Sequence, residues 1–174
     1  MRSVPLALGC CALALLGVTR SAHAFERQWH VGAGAGVSRG SGLSLSPAVT
    51  AYAAYGLSDV FDARLEVTGR GYRLGDERDS HSLSAAAGLA YKLDVLRWVP
   101  WAGVYLGYVG FLHRPRPGAE FEQHDAAIGL GLGLDYAFSR QLGLGVTLRY
   151  DDALTRAGAT NFDALLRAEY RWGW

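Results

Sequence analysis

Cysteine, methionine and long apolar runs are what this sequence has least of. Its 174 residues include two cysteines, adjacent at Cys10 and Cys11, and one methionine, Met1. Beyond the first two dozen residues no stretch stays apolar for the roughly 20 positions a membrane-spanning helix requires. An excess of charge of either sign is missing too, since 17 Lys+Arg stand against 16 Asp+Glu. A nearly neutral chain with scattered charges lacks the basic footprint of a nucleic-acid-binding protein. Histidine is absent after His124, so serines in the last third of the chain have no imidazole nearby in sequence to activate them. What the chain does have is glycine, 23 residues, with 9 Tyr and 5 Trp. Abundant glycine and aromatics with few long helix formers point to strands and tight turns.

The N-terminus is expected to leave the protein. Arg2 gives a positive start, Val4 to Val18 is apolar, and Ala22-His23-Ala24 offers small residues for cleavage. That is the anatomy of a secretory signal peptide over residues 1–24, with one domain over 25–174. A retained anchor is disfavoured because the apolar run is short and Arg20 interrupts it. Leu8-Gly9-Cys10 sits ahead of most of that run, which argues against lipidation there. Cleavage removes both cysteines, so disulfides and thiolate ligands are excluded from residues 25–174.

Alternation with a period of two runs through nearly all of the remainder. From His124 to Phe138 one parity holds Ile128, Leu130, Leu132 and Leu134, the other Gly129, Gly131, Gly133 and Asp135. Phe61, Ala63, Leu65 and Val67 alternate with Asp62, Arg64, Glu66 and Thr68. Phe162, Leu166, Tyr170 and Trp172 alternate with Asp163, Arg167, Glu169 and Arg171. Successive strand side chains point to opposite faces, so each segment has one apolar face and one polar or small one. About eight such segments are expected, near 28–38, 46–56, 60–72, 81–93, 99–113, 123–138, 142–150 and 162–174. Short connections (Leu57 to Asp59, Asp94 to Arg97, Ser139 to Gln141) alternate with longer ones (Arg39 to Leu45, Arg73 to Ser80, Arg114 to Glu122, Asp151 to Asn161). An all-β, closed, antiparallel up-and-down transmembrane barrel has short turns at one end and longer loops at the other.

A soluble barrel with an apolar interior also alternates, and three features choose against it. The non-apolar parity is often glycine or alanine, as at Ala86, Gly88, Gly129, Gly131 and Gly133, which suits a crowded lumen and not a solvated wall. Aromatics of the apolar parity fall near segment ends: Trp29, Phe61, Tyr91, Tyr136, Phe138, Tyr150, Phe162, Tyr170, Trp172 and Trp174. Such girdles belong at membrane–water interfaces. The third feature is Tyr170-Arg171-Trp172-Gly173-Trp174, an alternating aromatic strand. In the fifth segment both parities are apolar, Trp101 and Tyr105 against Val104 and Leu106, and the facing stays open.

Through that terminal strand, and through Trp98-Val99-Pro100-Trp101 leading to Gly103, Gly107 and Tyr108, residues 25–174 resemble the small eight-stranded outer-membrane β-barrel family, of the outer membrane protein A and X type. The resemblance implies a place in the outer membrane of a Gram-negative-type envelope. It also implies insertion by the barrel assembly machinery, with Tyr170, Trp172 and Trp174 as the terminal signal.

Chemistry has few candidates. Small-barrel lipid A deacylases pair a His and a Ser two apart near the C-terminal end, a pattern missing here. Asp79, His81 and Ser82 or Ser84 suggest a hydrolase at the rim. His81, however, shares parity with Leu83 and His124 with Ile128, which turns both toward lipid headgroups, and the histidines have no metal-ligand spacing. The polar parity places Asp62, Arg64, Glu66, Arg70, Lys92, Asp135, Arg149, Asp163, Arg167, Glu169 and Arg171 in the lumen. Unpaired charge is costly there, so mutual pairing is expected. Arg114-Pro115-Arg116-Pro117 is stiff and basic, and Arg114 and Arg116 are candidates for the phosphates of lipopolysaccharide. The expected protein is therefore a non-enzymatic barrel without cofactor, monomeric because closure removes the sheet edges, supporting envelope integrity or surface contact. The alternatives are a narrow pore with a charged lumen and a rim-sited enzyme that modifies lipid A.

Overall fold

The structure is a computed structural model that describes residues 27–40, 45–74, 78–93, 97–111, 124–155 and 160–173. The expected leader, both proline-flanked arginines (Arg114 and Arg116) and Trp174 lie outside the described residues. Eight strands follow one another: β1 (Trp29–Gly40), β2 (Leu45–Gly56), β3 (Phe61–Leu74), β4 (Arg78–Lys92), β5 (Trp98–Phe111), β6 (His124–Ala137), β7 (Leu142–Ala153) and β8 (Thr160–Trp172). Each pairs antiparallel with its sequence neighbours, and β1 pairs with β8, so the sheet closes on itself. Trp29 lies opposite both Tyr55 and Trp172, which fixes the seam's register.

The strands run 12 to 15 residues, beyond the roughly 9–11 a tilted crossing needs. All but β5 and β6 overrun the expected segments at the long-loop end. β4 begins at Arg78 instead of 81, β7 continues to Ala153 instead of 150, and β8 starts at Thr160. Part of what reads as polar loop is the paired end of a hairpin, where the sequence carries no apolar parity. Two of the short turns are built alike. Ser58 Oγ accepts from the amides of Val60 and Phe61, at 3.4 and 3.2 Å. Ser139 Oγ accepts from Gln141 and Leu142 at 3.2 and 3.0 Å. In each, the serine hydroxyl satisfies backbone donors that the turn removes from the ladder.

The wall is inverted relative to a soluble protein. Leu65, Leu106, Leu132 and Leu166 are exposed outward, whereas Arg64, Asp62 and Asp163 are at most 1 % exposed. Aromatic pairs ring the short-turn end: Trp29–Tyr55 with centroids 4.9 Å apart, Phe61–Tyr91 at 5.3 Å, Trp98–Tyr136 at 4.9 Å and Tyr170–Trp172 at 6.0 Å. The fifth strand's facing is settled by its register with β4. Lys92 sits opposite Trp101 and Gly88 opposite Tyr105, so both aromatics point inward while Val104, Leu106 and Tyr108 face out.

Candidate functional site in the barrel lumen

Inward-facing side chains fill the lumen in three levels. Among the described residues, six buried cations (Arg64, Arg70, Lys92, Arg149, Arg167, Arg171) stand with seven buried carboxylates (Asp62, Glu66, Asp125, Asp135, Asp151, Asp163, Glu169). Their contacts cross the barrel, because an eight-strand ring is narrow enough for facing strands to touch through their side chains.

At the short-turn end Glu169 is the hub. It accepts from Tyr52 Oη at 2.6 Å and Arg171 Nε at 2.5 Å, and lies 3.1 Å from His30 Nδ1. Lys92 Nζ is 3.5 Å from the same His30 nitrogen and pairs with Asp62. At the long-loop end Arg70 reaches across from β3, donating to Asp163 on β8, to Asp151 on β7 at 2.8 Å and to Ser84 at 2.9 Å. Arg149 on β7 pairs with Glu66 on the opposite strand at 2.9 Å and donates to Asp151 at 2.9 Å. Charge-assisted bonds of this kind are what allows ions to lie in a low-dielectric interior. A pocket remains beside them, between Arg70, Arg149 and the small wall of Ala86, Gly107 and Gly129. Asp125 accepts from Thr155 at 2.7 Å.

Between these levels the lumen is aromatic. Arg64 and Arg167 share two rings: their guanidinium carbons are 4.3 and 4.5 Å from the Trp101 ring, and 4.7 and 5.0 Å from Tyr52. Arg149 lies 4.1 Å above Tyr105. Arg167 also grips both oxygens of Asp135, one at 2.9 Å. The glycine run of β6 finds its cause here. A Cβ at Gly131 would sit 3.0 Å from the Tyr105 ring and 3.1 Å from Trp101, and one at Gly133 would overlap the indole. Gly88 makes the same room for Tyr105, where a Cβ would lie 2.6 Å from the ring.

The structure thus brings Asp62, Arg64, Glu66, Arg70, Asp135, Arg149, Arg167, Glu169 and Arg171 into one lumen. Sequence reading missed Tyr52, Trp101, Tyr105 and Asp151 as members. Tyr52 shares the parity of Ser46 and Thr50, which was the one signal for it, whereas Asp151 falls in what reads as a loop. Trp101 and Tyr105 needed the β4–β5 register. His81 faces outward from the wall, as Leu83 does, so it is not placed with Ser82 or Ser84, which are buried inward. Among the described residues no group of three or more His, Cys, Asp and Glu side chains is placed to hold a metal ion.

A family model described as an outer membrane protein beta-barrel domain matches residues 8–169. No curated protein matches the chain. Among solved structures, Neisserial surface protein A is 17 % identical with a TM-score of 0.70, covering 83 % of this chain and 97 % of its own. The N-terminal β-barrel domain of Pseudomonas aeruginosa OprF is 14 % identical at 0.65, covering 84 % and 98 %. The outer membrane enzyme PagL is 16 % identical at 0.56, covering 81 % and 98 %. At these identities the likeness is one of fold.

Proposed function

Since the chain belongs to the outer membrane protein β-barrel family and resides in the outer membrane, we propose that it is a non-enzymatic integral barrel that supports envelope integrity or presents its loops for surface contact. The fold alone fixes no activity, so the support has to come from the lumen. One observation carries it: inward-facing charges at both ends are engaged with one another, and Tyr52, Trp101 and Tyr105 line the middle. A lumen arranged this way holds its wall together, which supports a structural role over catalysis or conduction. In this reading residues 1–24 are a cleaved leader. Tyr170, Trp172 and Trp174 guide assembly by the insertion machinery, and the barrel is a monomer. Arg114 and Arg116 meet lipopolysaccharide phosphates at the surface.

The test has two arms. Purified protein in a planar bilayer is expected to give no steady conductance, and cells expressing it are expected to yield lipid A of unchanged mass. Steady unitary steps would establish the pore instead. A mass change in lipid A that persists in purified protein would establish the rim enzyme.

A further inference from the structure

We propose that the middle of the lumen is a binding site for one small monovalent anion of halide size, held by Arg64. Arg64 is 1 % exposed. Among the described residues it is the one buried Lys or Arg without a carboxylate at ion-pair distance, and none of its Nε, Nη1 and Nη2 atoms has a hydrogen-bond acceptor. Its contacts are ring faces, those of Trp101 and Tyr52. A guanidinium removed from water and given no anion is a costly arrangement, and ring faces replace a counter-ion incompletely.

The neighbouring groups lack an acceptor as well. Trp101 Nε1, Tyr105 Oη and Thr147 Oγ1 are buried without a hydrogen-bond partner. They belong to the same level. Trp101 Nε1 lies over Gly133, which pairs in register with Thr147, and Tyr105 Oη is 3.1 Å from where a Gly103 Cβ would be. Indole and guanidinium nitrogens donate and do not accept. Asp135 is engaged on both oxygens by Arg167, and Asp62 and Glu66, on either side of Arg64 along β3, pair with Lys92 and Arg149. Arg64 is thus the cation of this stretch whose inward neighbours Asp62 and Glu66 are both paired with other cations, although the described lumen as a whole holds seven buried carboxylates to six buried Lys and Arg. At the long-loop end the excess is negative, with Glu66, Asp151 and Asp163 around Arg70 and Arg149.

A halide supplies what this level is missing, one negative charge and an acceptor without directional demands. Water supplies an acceptor but no charge. A divalent oxyanion carries more charge than the one guanidinium can offset. Entry proceeds by the Arg64 guanidinium tilting off the ring faces to donate to the anion, which exchanges a cation–π contact for charge-assisted hydrogen bonds.

Crystals of the wild-type protein grown or soaked in bromide are expected to show an anomalous peak within hydrogen-bond distance of Arg64. In detergent, the thermal midpoint of the gel-mobility transition is expected to be several degrees higher in chloride or bromide than in gluconate at equal ionic strength. Arg64→Met abolishes that difference and Arg64→Lys keeps part of it. Ordered water without bromide at this level, or an equal halide effect in Arg64→Met, overturns the proposal. If Arg64→Met does not fold, the bromide map of the wild-type protein decides alone.

Discussion

Arg70 on β3 donates to both carboxylate oxygens of Asp163 on β8, at 2.8 and 2.5 Å, across the two strands that separate them in the ring. The same guanidinium holds Asp151 at 2.8 Å. Replacing it by Leu leaves two carboxylates buried with one cation fewer. The expected loss is about 3–5 kcal/mol, the usual effect of removing one partner of a buried pair. Urea titration followed by the shift between folded and unfolded gel bands measures it. Arg70→Leu with Asp163→Leu is expected to recover much of the loss, because an apolar pair strands no charge at that position. A single-variant loss below about 1 kcal/mol would show that water, not Arg70, satisfies those carboxylates.

The alternation that made the barrel legible in the sequence is a direct consequence of its environment. Leu130, Leu132 and Leu134 meet lipid, Gly129, Gly131 and Gly133 meet the lumen, and a strand converts that difference into period two. The charged members of the lumen were readable for the same reason, since Arg64 or Glu169 on a lipid-facing parity is too costly. The aromatic level was not. Trp101 and Tyr105 look identical to lipid-facing residues in chemistry, and their strand carries apolar side chains on both faces. What reveals them is the absence opposite: glycine at 88, 131 and 133 leaves the volume the two rings occupy. Asp151 escaped for another reason. It lies where the hairpin rises beyond lipid, and a polar run there reads as loop.

Gly133 is where this packing can be probed most directly. Its added methyl in Gly133→Ala overlaps the Trp101 indole, and overpacking of this kind costs about 1–3 kcal/mol. Shrinking the partner in Gly133→Ala with Trp101→Leu is expected to return part of that loss, with the urea midpoint as the readout. Additive losses would mean the two side chains do not meet.

Leu132 tests which face meets lipid. It is 58 % exposed on the outer wall, so Leu132→Arg is expected to cost about 2–4 kcal/mol of insertion energy. The folded fraction recovered after dilution into lipid vesicles should fall accordingly. Leu132→Phe, which keeps the surface apolar, should fold as the wild type does. Equal recovery of the Arg and Phe variants would reverse the facing assigned to β6 and, through its register, to the whole wall.

If the lumen is closed by its aromatic side chains, they can be removed without deleting a member of any ion pair. Trp101 and Tyr105 are inward residues of β5 with only Gly103 between them on that face, and their rings reach toward Arg64 and Arg149. Trp101→Ala with Tyr105→Ala removes the largest uncharged obstruction while Arg70–Asp163 and Lys92–Asp62 remain. Water then has room between two charged levels, and the double variant is expected to pass ions where the wild-type protein does not. Stepwise currents in a planar bilayer, seen for the variant alone, are the expected result. Currents in neither protein would place the barrier in the ion-paired levels. Equal currents in both would mean that the aromatic level closes nothing, and the wild-type barrel would then have to be read as a pore.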